Sequence, residues 1–229
     1  MTAVAPNPPS PTYTPNATRG IGVELRNVSR WYGSVVAVND VSYSLSAGIT
    51  GLLGPNGAGK TTVLHMMAGL LAPSAGDVLI GGVAPSGNPE IYRQIALVPE
   101  RESVHPFLTG YEFVRMSARL QDLPNADEAA RRAIALVELG DAQGRKIGTY
   151  SKGMRQRIKI AGAMVHDPGL VLLDEPFNGM DPRQRLQMMD VLRSLAEAGR
   201  TIVISSHILE ELADLATNVL VMVSGHRVS

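Results

Sequence analysis

An α/β fold is predicted: a mostly parallel sheet, a small N-terminal antiparallel β subdomain and an inserted α-helical subdomain. Three observations predict it. The runs "LVLLD" and "TIVIS" are apolar along their length, as strands covered on both faces are. A helix-patterned stretch separates them, which is the connection that parallel neighbours need. Residues 23–45 instead alternate apolar and polar side chains, the pattern of a sheet with one wet face.

Residues 1–19 repeat proline and have neither a basic start nor a continuous apolar core, so they read as a disordered tail and not as a signal peptide. Residues 20–229 then form one domain, with no internal repeat and no second composition regime. Within it, "VELRNVSRWYG" and "VSYSL" are antiparallel strands joined by "GS" and "ND" turn chemistry. Residues 49–53 are a short apolar strand that enters a glycine-rich turn, and "KTTVLHMMAGLL" continues as a helix. "DVLI" and "IALV" are further short strands. The stretch from about 100 to 165 is the helical insertion, where Ile134, Leu136 and Val137 suit a buried stripe. The helix between the last two apolar strands opens at "DPRQRLQMMDVLRSL", with Pro182 in the first turn, where its missing N–H costs nothing.

Composition bounds the partners. At 229 residues and 45% hydrophobic content the chain can bury a substantial core. Lys+Arg and Asp+Glu both number 21, so no overall charge draws it to nucleic acid or an anionic membrane, and no nucleic-acid partner is expected. The absence of cysteine excludes disulfides and thiol chemistry. Apolar runs such as "NVLVMV" are far short of the ~20 residues of a membrane-spanning helix. If the protein works at a membrane, something else crosses it.

The glycine-rich turn is "GPNGAGKTT": Gly54, Pro55, Asn56, Gly57, Ala58, Gly59, Lys60, Thr61 and Thr62. It fits G-x-x-x-x-G-K-[ST] between a strand and a helix. Glycines let backbone N–H groups converge on phosphates, and the following helix adds its positive end. Lys60 neutralises the phosphates, the Thr61 hydroxyl ligates Mg²⁺, and Thr62 contacts the α-phosphate. A nucleotide with Mg²⁺ is what this loop predicts, and the loop alone serves kinases, switches and motors alike; that the nucleotide is ATP is what the family resemblance given below implies.

"LVLLDEP" ends a buried strand in two acids at the carboxyl edge, where α/β sheets place their ligands. Asp174 suits the outer shell of the metal, and Glu175 suits a general base on a water in line with the γ-phosphate. His207 follows "TIVISS" at another strand end, where it can hold that water. His65, His105, His166 and His226 read as structural or solvated.

Together "GPNGAGKTT", "YSKGM", "LVLLDEP", "NGMDP" and "SSH", in that order, resemble the nucleotide-binding subunit of an ATP-binding cassette (ABC) transporter, most similar to exporter-type single-cassette subunits. The resemblance covers residues 20–229 and implies a P-loop NTPase core of RecA type. It implies that Ser151, Lys152, Gly153 and Met154 form a signature motif meeting the γ-phosphate held by a second cassette. The residues themselves offer a hydroxyl, an unobstructed N–H and a helix N-terminus pointed at an anion. The resemblance also implies that Asp181 belongs to a loop crossing that interface, that Tyr32 stacks on adenine, and that a transmembrane permease is the second partner. The location implied is the cytoplasmic face of the membrane, peripheral through that permease. On an extended strand, neighbouring Trp31 is expected to face the other way from Tyr32.

The sequence departs from the family pattern at several places. Glu100 stands where a metal-ligating, permease-sensing glutamine is usual; it keeps an oxygen ligand and adds a negative charge, so an active but altered ATPase is expected. Lys152 and Met154 replace the commoner glycine and glutamine, and Lys152 is expected to bring a cation near the partner's phosphate. Ile49 stands where glutamate is frequent. The competing functions are a soluble ABC protein of translation or repair and a nucleotide-gated binding module that hardly hydrolyses. The first calls for tandem cassettes or a long coiled coil, and residues 100–151 carry no heptad run.

Overall fold

The computed structural model describes residues 20–101 and 104–228; the proline-rich tail expected at 1–19 lies outside the described residues. Strands β1 (Val23–Tyr32) and β2 (Val35–Leu45) form the antiparallel hairpin that the alternation predicts. Strand β3 (Gly48–Leu53) and helix α1 (Lys60–Met67) flank the glycine-rich loop. Strand β4 (Ala75–Ile80) then returns to pair antiparallel with β1, so "DVLI" belongs to the small three-stranded sheet. A short helix α2 (Pro89–Tyr92) leads to β5 (Ile95–Val98).

The helical insertion comprises α3 (Gly110–Leu120), α4 (Ala126–Leu136) and the first part of the route into α5 (Lys152–Met164). Helix α3 begins at a reciprocal cap: Thr109 accepts from the Glu112 N–H while the Glu112 carboxylate accepts from the Thr109 N–H. Ile134, Leu136 and Val137 are all buried, as the stripe predicts. After β6 (Leu170–Asp174) come α6 (Pro182–Glu197), β7 (Thr201–Ser206), the short α7 (Leu209–Ala213), and the β8 (Asn218–Val223) and β9 (His226–Val228) hairpin.

The larger sheet runs β5-β6-β7-β3-β8-β9, parallel except for β9. Side-chain alternation divides its strands between two cores. Leu170, Leu172, Val203 and Leu52 pack with α1 and the small sheet, whereas Val171, Leu173, Ile202, Ile204 and Ile49 pack toward α5, α6 and the insertion. Every residue of β6 and β7 is buried, which explains why their sequences carry no polar face. Ile49, the departure from glutamate, is a plain core residue of this second layer, 2% exposed. The topology brings β6, β7 and β3 side by side, so the three chain segments following them emerge together at one edge.

Candidate active site

The loop after β3 closes tightly on itself. Gly59 has φ +99° and caps α1, and a side chain there would collide with the Ala37 carbonyl, so glycine is required. The loop lines a cavity of about 260 Å³ together with Ala37, Glu100, Asp174 and Glu175. Asn56, Gly57, Ala58, Gly59, Lys60, Thr61 and Thr62 all contribute to its wall, while Gly54 and Pro55 form the base of the turn. Lys60 is 6% exposed; its Nζ donates to the Gly54 carbonyl at 2.6 Å and lies 3.4 Å from Glu175 Oε1.

Opposite the loop, register sets the chemistry. Asp174 pairs with Ser205 across β6 and β7, and the Ser205 hydroxyl donates to Asp174 Oδ1 while accepting from the Glu175 N–H at 2.9 Å. The other carboxylate oxygen of Asp174 accepts from the Thr61 hydroxyl at 2.7 Å. Glu175 leaves the strand in the left-handed region, φ +47°, which turns its side chain out of the sheet's alternation and toward the cavity. Its Oε2 lies 3.0 Å from Nδ1 of His207. In the neutral tautomer that donates from Nδ1 to this carboxylate, Nε2 is left as an acceptor.

Thr61, Asp174 and Glu100 offer only oxygen ligands, the set that suits a hard cation such as Mg²⁺. Among the described residues no group of three or more His, Cys, Asp or Glu is arranged to hold a metal by itself. That fits Mg²⁺, which is held by one or two carboxylates and the oxygens of a phosphate ligand. Glu100 faces the cavity from the loop after β5, with Oε1 accepting from the Asn178 amide at 3.3 Å.

A family model for ABC transporter matches residues 38–178. The chain belongs to the ABC transporter family. It is 37% identical to the Nod factor export ATP-binding protein I of Burkholderia orbicola, over 90% of this chain and 69% of that protein. It is 38% identical to the daunorubicin/doxorubicin resistance ATP-binding protein DrrA of Streptomyces peucetius, over 89% of this chain and 63% of the relative. An ABC transporter ATP-binding protein of Nostoc sp. is also 38% identical, and the chain spans 64% of its length. Among solved structures, an ATP binding subunit of an ABC transporter superposes with TM-score 0.81 at 27% identity, covering 90% of this chain and 88% of that one. A bacterial ABC transporter cassette described as dimeric shares the fold at TM-score 0.83 and 23% identity, covering 90% and 97%.

The remaining ABC motifs are placed away from the cavity. Ser151 caps α5 by accepting from the Met154 N–H at 3.2 Å, which leaves the hydroxyl proton available to an anion. None of Ser151, Lys152, Gly153 and Met154 lines this cavity. The Lys152 stem lies over Gly179, and a side chain on Gly153 would strike the Gln184 amide, so the signature turn rests against the "NGMDP" segment of its own chain. That segment is anchored by buried Phe177 and Met180, and its Asp181 caps α6 by accepting from the Gln184 N–H at 2.9 Å. Tyr32, at the end of β1, is 48% exposed with the Arg30 guanidinium 4.9 Å from its ring centre. Trp31 is 43% exposed as well; it and Tyr32 pair in unbroken succession with Val36 and Val35, so the two faces of the hairpin tip carry one exposed aromatic each.

Sequence reasoning missed Ser205, Asn178, Glu211 and Lys159. Glu211 is buried and accepts from the Ser206 hydroxyl at 2.6 Å, with Arg185 of α6 at 3.3 Å, so it steadies the residue before His207. The doubled serine before His207 is the signal that could have found the first of these, since an apolar strand ending in hydroxyls needs a partner for them.

Proposed function

We propose that this chain binds and hydrolyses ATP as the motor subunit of an ABC transporter, drawing two cassettes together and driving a separate membrane permease. The observation that carries the reading is the cluster of buried Lys60, Asp174 and Glu175 at adjoining strand ends, with the more exposed His207 3.0 Å from the Glu175 carboxylate. Backbone N–H groups of Gly57, Gly59 and the first residues of α1 receive the phosphates, with Lys60 leaving its carbonyl partners to meet them. Thr61, Asp174 and Glu100 would hold Mg²⁺, which when bound would supply positive charge to offset that of the phosphates. Glu175 accepts a proton from water as that water attacks phosphorus, and His207 holds the base and the water in line. The products are ADP and phosphate.

Pairing of cassettes supplies the signature residues that the cavity lacks, and Asp181 sits at the edge that a partner would approach. No helix among the described residues is long and apolar enough to cross a membrane. In the proposed assembly the permease spans it, and this chain works at the cytoplasmic face. The names of the Nod factor and drug-resistance relatives favour export. The test is Glu175→Gln. Losing a positioned base is expected to lower turnover by about 10²–10⁴-fold while ATP still binds; wild-type turnover in that variant would overturn the assignment.

A further inference from the structure

Lys159 lies in the middle of α5, 5% exposed, between Ile158 and Ile160, which are wholly buried. A buried ammonium is costly unless its protons are bonded. Here its Nζ donates to three successive backbone carbonyls, Pro99 at 2.7 Å, Arg101 at 3.1 Å and Glu100 at 3.3 Å. Among the described residues these three acceptors are consecutive, on the loop that carries the Glu100 side chain to the cavity wall. The same lysine also lines the groove between β5 and the insertion on one side, and the small polar cavity of Glu100, Gln156 and Asn178 on the other.

We propose that Lys159 is a positioning residue that fixes the backbone of residues 99–101 to α5, so that the place of Glu100 follows the signature helix. From Ser151 to Lys159 a helix rises about 12 Å, and a helix of this length moves as a rod. A shift of α5 at its capped end is therefore delivered to the Glu100 backbone. Charge-assisted bonds to three carbonyls resist stretching better than a neutral contact does. An apolar residue could fill the same space but could not pull the loop. The functional consequence rests on the Mg²⁺-ATPase reading; the tether does not.

The test uses the whole chain with Lys159→Met and Lys159→Arg, read in two ways. Without nucleotide, trypsin cleavage after Arg101 reports opening of the tethered loop. Lys159→Met is expected to speed it by about tenfold with the thermal midpoint of the whole chain little changed, and Lys159→Arg to keep it near wild type. The second measurement is the Mg²⁺ concentration for half-maximal ATP turnover. Lys159→Met is expected to raise it roughly fivefold when Glu100 is present and not at all in a Glu100→Ala background, because the lysine acts through that residue. Wild-type cleavage after Arg101 in Lys159→Met overturns the tether, and an equal Mg²⁺ shift in both backgrounds overturns its action through Glu100. If Lys159→Met does not fold, Lys159→Gln replaces it, and wild-type cleavage there overturns the tether equally. A wild-type chain that does not turn over ATP defeats the ATPase reading and leaves the cleavage result to decide.

Discussion

Tyr32 shows how much a single position depends on its neighbours. Its ring is half exposed and carries the Arg30 guanidinium, so it has a structural companion as well as the proposed adenine. Stacking of a base on an aromatic side chain contributes about 1–3 kcal/mol, whereas an exposed cation–π pair contributes about 0.5–1 kcal/mol. Tyr32→Ala is therefore expected to weaken ATP binding by roughly tenfold, measured by calorimetry, with little loss of stability. Unchanged affinity would make Tyr32 a sheet-surface residue only. The same scale separates what could be read in the chain from what could not. Lys60, Thr61, Asp174 and Glu175 stand in contiguous motifs whose residue types announce their chemistry. Ser205 and Asn178 act across the fold, on Asp174 and Glu175 and on Glu100, and nothing beside them in the chain identifies those partners.

Helices and strands were legible where their pattern is local. The 3.6-residue stripe of α4, the proline-led start of α6 and the wholly apolar β6 and β7 all formed as their sequences predict. The membership of β4 in the small sheet was not legible, because pairing with β1 is a long-range choice that its own six residues do not encode. The connection between α5 and β6 carries a consequence for acid stability. His166 lies just beyond α5 with Nε2 3.3 Å from the Ile95 carbonyl, and burial holds its pKa below the ordinary 6.5, opposed by that carbonyl and by Asp167. The unfolded chain thus takes up the proton first as pH falls, so stability is full above about 6.5 and declines from there toward the lowered folded value. The expected slope is at most about 1.4 kcal/mol per pH unit for this one proton. Urea midpoints between neutral pH and mild acid should show His166→Gln flatter than wild type across that window; parallel curves would remove the histidine from the account.

At the scale of the whole molecule, the cavity beside the glycine-rich loop and the turn that opens α5, proposed as phosphate site and signature, occupy one chain without meeting. Lys152 rests over Gly179 and Gly153 faces Gln184 of α6, while the cavity is walled by the loop after β3 and by Glu100, Asp174 and Glu175. A twofold pairing of cassettes lets each present its signature to the other, and an isologous contact of this kind makes both sites alike. The separation predicts an exchange that a self-contained enzyme could not show. Glu175→Gln lacks the base but keeps Ser151, and Ser151→Ala lacks the hydroxyl but keeps the base. In a mixed pair, the base of the second chain faces the hydroxyl of the first, so one site of the two is intact. Equal mixing makes about half of the pairs mixed, and turnover should recover to about a quarter of wild type from two nearly inactive parents. Ser151→Ala also removes a helix cap worth about 1 kcal/mol, a cost that falls on stability and that mixing cannot repair. Recovery on mixing therefore reports the shared site alone, and a mixture no more active than the average of its parents would place the whole of the chemistry within a single chain.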